Sequence, residues 1–205
     1  MSNKNYQTSD ETIPKSMATD SLQTGLRKLI LWNMVSLDGY FEGPEQGQID
    51  WFRFDAELEN FIISTQSMAG TLLFGRKTYE MMSAYWPNAE GNIAVFMNQV
   101  EKIVFSRTLQ KVDWYNTRLV WENVPDVVNQ LKQQPGGDIF VFGSADLTAT
   151  LMHHGLVDEY QFGINPVSLG AGVPLMKHGV PKQDLKLVLS KTFPSGLVVL
   201  HYRPE

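Results

Sequence analysis

Short runs of apolar residues recur along this chain, and the stretches between them place their apolar residues at helical spacing. Lys28–Val35 (KLILWNMV), Thr71–Phe74, Lys102–Phe105 and Asp138–Phe142 (DIFVF) are runs of this kind. A strand without polar alternation is covered on both faces, which a half-solvated antiparallel sheet does not provide. Between the runs, Asp55–Met68 sets Leu58, Phe61, Ile62 and Thr65 on one helical face, with Asp55 as the N-cap. Lys77–Tyr85 (stopped by Trp86-Pro87), Ile93–Gln99, Val124–Gln133 and Ala145–His153 are the other predicted helices. Arg118–Trp121 and Val157–Ile164 are further predicted strands, and Leu185–Thr192 and Leu197–Arg203 form a hairpin across Phe193-Pro194-Ser195-Gly196. Strands alternating with helices predict an α/β fold with a largely parallel sheet, closed by an antiparallel edge.

Residues 1–26 lack this pattern. They are rich in Ser, Thr, Asn, Gln and Asp, hold no apolar core of the kind a signal peptide needs, and are expected to form a polar tail. Residues 27–205 are expected to form a single domain, for which 43% hydrophobic residues suffice. The net charge of −5 argues against a general nucleic-acid binder. The chain has no cysteine, so disulfides, thiol catalysis, zinc fingers and iron–sulfur clusters are excluded, which fits a reducing cytoplasm. No apolar run approaches the roughly 20 residues of a membrane span, and no internal repeat is present. The histidines show no metal-binding spacing, and His153-His154 are explained by the end of a helix.

Chemistry in an open α/β sheet gathers beyond the C-terminal ends of the strands, and three junctions of this kind stand out. At Gly75-Arg76-Lys77-Thr78 a glycine turn opens a helix beside two cations, which suits a phosphate or a solvated turn. At Gly143-Ser144-Ala145 small residues permit close approach of a ligand to the backbone, and helix capping by Ser144 is the simpler account. At Ser106-Arg107 a strand end offers a hydroxyl and a guanidinium, groups that suit the extra phosphate of NADP. The aromatic cluster Trp51-Phe52-Phe54 is expected to be mostly core.

Taken in order, Ser36-Leu37-Asp38-Gly39-Tyr40, Gly75-Arg76-Lys77-Thr78-Tyr79-Glu80, Val104-Phe105-Ser106-Arg107-Thr108-Leu109, Phe142-Gly143-Ser144-Ala145 and Asn165-Pro166-Val167-Ser168-Leu169-Gly170-Ala171-Gly172-Val173-Pro174-Leu175 form a recognisable set. It resembles the dihydrofolate-reductase-like superfamily, most closely the branch of the riboflavin-biosynthesis reductase domain. The resemblance implies a doubly wound mixed sheet of about eight or nine strands with flanking helices. It implies NADPH as cofactor, with Gly75, Arg76, Lys77 and Thr78 at a phosphate turn, Ser106 and Arg107 at the 2′-phosphate, and Gly143, Ser144 and Ala145 over the pyrophosphate. Met34 and Val35 would border the nicotinamide, and Asp38 would open a mobile loop that closes over the site and ends at Gly47. Glu57 is the best match to the acid that faces the pocket in folate reductases, with Asp55 next and a bound water as the other source of a proton. The implied activity is hydride transfer to a C=N or C=O bond of a small heterocycle resembling a pterin or pyrimidine. The contrasting reading is a binding protein that keeps the fold without catalysis, and a homodimer paired through an exposed edge strand is a further expectation. The zinc deaminase domain that precedes the riboflavin-pathway reductase has no counterpart in this sequence.

Overall fold

The computed structural model describes residues 26–205, and the tail expected for residues 1–26 lies outside them apart from Leu26, which is exposed. Ten strands follow in chain order: β1 (Leu29–Ser36), β2 (Tyr40–Glu42), β3 (Ala69–Gly75), β4 (Glu101–Phe105), β5 (Thr117–Val120), β6 (Asp138–Val141), β7 (Glu159–Asn165), β8 (Val173–Pro174), β9 (Leu185–Thr192) and β10 (Val198–Pro204). Five α-helices separate them: α1 (Ala56–Gln66), α2 (Arg76–Tyr85), α3 (Asn92–Gln99), α4 (Val124–Lys132) and α5 (Ala145–His153). Eight strands form one sheet in the order β5-β4-β3-β6-β1-β7-β10-β9, and β2 pairs with β8 in a separate ribbon. Pairing is parallel from β5 through β7, and β10 is antiparallel to both β7 and β9. The expected mixed, doubly wound α/β sheet is therefore the observed one.

Residue alternation along β1 divides the core between the two faces. Leu29 and Leu31 join Val128 and Leu131 of α4 and Leu147 and Leu151 of α5 on one side. Ile30 joins Tyr79 of α2 and Met97 of α3 on the other, where Met34 packs with Leu58, Phe61 and Ile62 of α1. Asp55 caps α1 as predicted, its Oδ1 accepting the Leu58 N–H at 2.9 Å.

The loop expected from Asp38 to Gly47 contains β2, whose partner β8 lies far along the chain. β9 is an edge strand exposing Leu187 and Val188, the feature on which the pairing expectation rests. The aromatic cluster departs from expectation. Phe52 packs against the Met34 cluster, whereas Phe54 is 58% exposed.

Buried charge is concentrated at the end of the sheet where β7 begins. Glu159, 4% exposed, takes Lys28 Nζ at 3.1 Å and Arg203 Nη2 at 2.9 Å on one oxygen, and His201 Nε2 lies 2.8 Å from the other. Burial pushes the Glu159 carboxyl up, but the His201 hydrogen bond and the charges of His201 and Lys28 outweigh it and bring it down to about 2. Arg27 at the same end donates to the Gly137 carbonyl and to Thr71 Oγ1, both at 2.5 Å. Among the described residues no helix is long and apolar enough to cross a membrane.

Candidate active site

The site is created by the short length of β6. It ends at Val141, where its pairing with both neighbours stops, while β1 runs on to Ser36 and β3 to Gly75. The edge of β1 that faces β6 therefore has no strand partner from Trp32 onward, and Asn33 Nδ2 reaches back to the Val141 carbonyl at 3.4 Å. Free backbone donors and acceptors must find partners of some kind. β6 also lies out of chain order between β3 and β1, and such a switch point is where open α/β sheets take their ligands.

Two glycine turns form the floor of this cleft. Gly75 N–H donates to the Gly143 carbonyl at 3.0 Å, joining the turn that opens α2 to the turn that opens α5. Gly143 has φ +109°, and a Cβ there would lie 3.1 Å from Phe41 Cε2 and 3.1 Å from Thr78 Oγ1. A Cβ at Gly75 would run into Ser144. Both turns thus require glycine.

α2 and α5 start from opposite faces of the sheet, yet both N-termini open on this cleft, because β3 and β6 are parallel neighbours. Among the described residues neither helix has a side-chain cap. The simpler account of Ser144 is therefore not the observed one: its hydroxyl lies against Gly75 and leaves the first turn of α5 open. Two uncapped N-termini present unpaired N–H groups and converging positive dipole ends, a setting made for an anion.

Arg76, Lys77 and Thr78 lie in the first turn of α2. Thr78 is buried against the Gly143 turn. Arg76 is half exposed and forks onto Glu80, 3.1 Å from each carboxylate oxygen. Lys77 has no ion-pair partner among the described residues, and neither has Arg107.

The third junction lies one strand further out. Ser106 follows β4, and its Oγ accepts from the backbone of Thr108 at 3.2 Å and Leu109 at 3.0 Å, folding a tight turn with Arg107 inside it. The rest of this loop is tied to the helices. Tyr79 Oη accepts from the Asp113 N–H at 3.1 Å, and Trp114 Nε1 donates to Asn98 Oδ1 at 2.7 Å. Beneath Trp114, wholly buried Lys102 donates to the carbonyls of Met97, Asn98 and Val100 at 2.8–3.2 Å, and burial lowers its ammonium to about 8.

Near the end of β1, Met34 and Val35 are buried. Asp38 is held by its own surroundings: Ser36 Oγ at 2.6 Å, Ser168 Oγ at 3.0 Å, and the backbone N–H groups of Leu169 at 3.1 Å and Gly170 at 2.7 Å. These bonds, the one from Ser36 first, hold its carboxyl well below the usual range. Asp38 is thus a clasp between the loop after β1 and the loop after β7. Asn165 at the end of β7 adds a second tie, its Oδ1 accepting from Arg53 N–H at 2.9 Å.

Glu57 is the predicted residue that the structure does not bring to the cleft. Its carboxylate is half exposed and pairs with Lys191 of β9 at 3.1 Å. The reason is helical geometry: Leu58 is fully buried toward the sheet, and its neighbour lies about 100° around the helix. Asp55, the next match, is occupied as the cap of α1 and as acceptor of the Ser195 N–H at 2.9 Å, and is held ionised by Ser195 and Leu58. Sequence reasoning also missed Trp121, which follows β5 beside the Ser106 turn. It lay at the end of a predicted strand, and nothing local showed which way its ring would face.

A central mixed sheet with flanking helices and a cleft above a short inserted strand is the fold this chain shares with dihydrofolate-reductase-like structures. The chain belongs to the RibD C-terminal domain family, which it matches over residues 27–199. It is 35% identical over 183 residues to the uncharacterised protein YyaP of Bacillus subtilis (strain 168), covering 86% of this chain and 94% of the other. Among solved structures it is similar to a diaminohydroxyphosphoribosylaminopyrimidine deaminase/5-amino-6-(5-phosphoribosylamino)uracil reductase of Thermotoga maritima. That similarity has a TM-score of 0.65 and 15% identity over 93% of this chain and 60% of the longer one. It is also similar to the dihydrofolate reductase of Enterococcus faecalis complexed with NADP(H), with a TM-score of 0.60, 13% identity, and 87% and 96% of the two chains covered.

Proposed function

We propose that this protein is an NADPH-dependent reductase acting on a C=N or C=O bond of a small flat heterocycle of the pyrimidine or pterin type. The observation that carries the reading is the meeting of two uncapped helix N-termini at the linked Gly75 and Gly143 turns. Membership of the RibD C-terminal domain family supports the reductase class.

In this reading the first turns of α2 and α5 hold the pyrophosphate through backbone N–H groups, with Lys77 adding charge. Arg107, in the turn made by Ser106, takes the 2′-phosphate through its planar fork. The unpaired edge of β1 beyond Trp32 offers backbone partners to the carboxamide of the nicotinamide. NADPH, when bound, supplies the hydride. The Asp38 clasp and the β2–β8 ribbon roof the cleft and keep water from the reacting atoms. Asp38 and Asp55 are hydrogen-bonded as carboxylates and Glu57 is ion-paired outside, so the substrate receives its proton from water.

The test is a titration of the purified chain with NADPH and NADH, followed by nicotinamide fluorescence. NADPH is expected to bind more tightly, and Arg107→Ala to remove that preference at a cost of about 1.5–3 kcal/mol, the scale of a hydrogen bond to a charged group. Absence of binding to either nucleotide overturns the proposal. The outward position of Glu57 favours a second reading, a nucleotide-binding protein without turnover. That reading is selected if NADPH binds and no pyrimidine, pterin or carbonyl compound drives its oxidation.

A further inference from the structure

The end of β5 carries a large aromatic side chain that the fold leaves half exposed. Val120 closes β5, and its carbonyl accepts the Ser106 N–H at 3.0 Å, so Trp121 leaves the sheet directly beside the Ser106 turn. Its indole Nε1 donates to the Leu109 carbonyl at 3.1 Å, which ties the ring to that turn by its polar edge. The ring is nevertheless 53% exposed and makes no ring contact with another aromatic residue among the described residues. Burial of tryptophan is a large source of stability, and its N–H normally finds a partner when it is buried. Here the partner is present while about half of the side chain stays exposed. A hydrogen-bonded edge with an open face is the arrangement of a stacking platform already fixed in orientation.

We propose that Trp121 is the stacking wall for the adenine ring of the dinucleotide. The inference rests on the nucleotide reading above and adds a residue and a role to it. The geometry is economical. A 2′-phosphate on Arg107 leaves the adenosine base within reach of the same turn, and Trp121 is the large aromatic side chain hydrogen-bonded to that turn. Arg107, without an ion-pair partner among the described residues, and exposed Arg118 on β5 supply positive charge along this edge, with Glu122 the one acid next to the ring in sequence. The platform requires a flat π-face, which every purine provides, so it contributes affinity while the Ser106 turn contributes discrimination between the two dinucleotides.

The experiment compares the full-length chain with Trp121→Ala and Trp121→Phe. Three ligands are used: NADPH, 2′-phospho-ADP-ribose, which keeps the adenosine half, and reduced nicotinamide mononucleotide, which lacks it. Affinities are read by calorimetry, and circular dichroism checks the fold. Trp121→Ala is expected to weaken NADPH and 2′-phospho-ADP-ribose alike, by about 5- to 100-fold, on the scale of base–aromatic stacking. Trp121→Phe is expected to restore most of the loss, and reduced nicotinamide mononucleotide to bind all three proteins equally. Unchanged affinity of Trp121→Ala for both adenosine ligands overturns the assignment while leaving the nucleotide reading intact. An equal loss for all three ligands overturns it as well, because the effect is then not confined to the adenine end. If the unaltered chain binds neither adenosine ligand, the nucleotide reading itself fails and Trp121 has no purine to hold.

Discussion

Glu159→Gln removes the negative charge on which Lys28, His201 and Arg203 converge. In the folded chain the Glu159 carboxyl is lowered from 4.5 to about 2. A displacement of that size corresponds to about 3 kcal/mol of stability carried by the charged form. Because the folded value is depressed, this contribution is fully present above about pH 4.5 and disappears as the pH falls toward about 2. Urea unfolding followed by tryptophan fluorescence, run from about pH 7 down to about pH 2.5, reads the difference between variant and parent. The variant is expected to be less stable by about 3 kcal/mol at neutral pH, with the gap closing steadily below about pH 4.5. A gap that stays constant down to about pH 2.5, or no gap at neutral pH, would refute the argument that the charge of Glu159 stabilises this end of the sheet.

Two other substitutions probe a turn of the cleft and the buried cation at the start of β4. Gly143→Ala places a Cβ at φ +109° and 3.1 Å from Phe41 and Thr78. It is expected to cost about 1–3 kcal/mol and to reduce the rise in melting temperature that the proposed function expects from NADPH, read by thermal unfolding with and without the nucleotide. Lys102→Met leaves the carbonyls of Met97, Asn98 and Val100 without their common donor. A loss on the order of 3 kcal/mol is expected in chemical unfolding, and an unchanged midpoint would show that water replaces the ammonium there.

The sequence made the central strands legible because their apolar runs are long enough to be buried on both faces, as in DIFV of β6. α1 was legible because its cap and its buried stripe agree. The glycine turns were visible through residue type alone, since Gly75 and Gly143 precede helices that begin with small or basic residues. The β2–β8 ribbon was not visible. Strands of three and two residues carry no periodicity, and their partners are set by the fold as a whole. Glu57 shows a different limit. Its position in the chain matched, but its direction depends on how α1 is turned against the sheet, and Leu58 fixes that. Nor could the early end of β6 be read from composition. Phe142 continues the apolar run beyond the last paired residue, and the opening between β1 and β3 exists only in three dimensions.

Glu159 opens β7 and Asn165 closes it, so the charged cluster and the cleft stand roughly 20 Å apart at about 3.3 Å per residue. That distance exceeds the roughly 7–10 Å within which substitutions usually couple. One pole anchors the chain, and in the proposed function the other meets the ligands. A lineage of such chains can therefore exchange loops at the mouth, and with them its choice of small molecule, without re-solving the problem of staying folded.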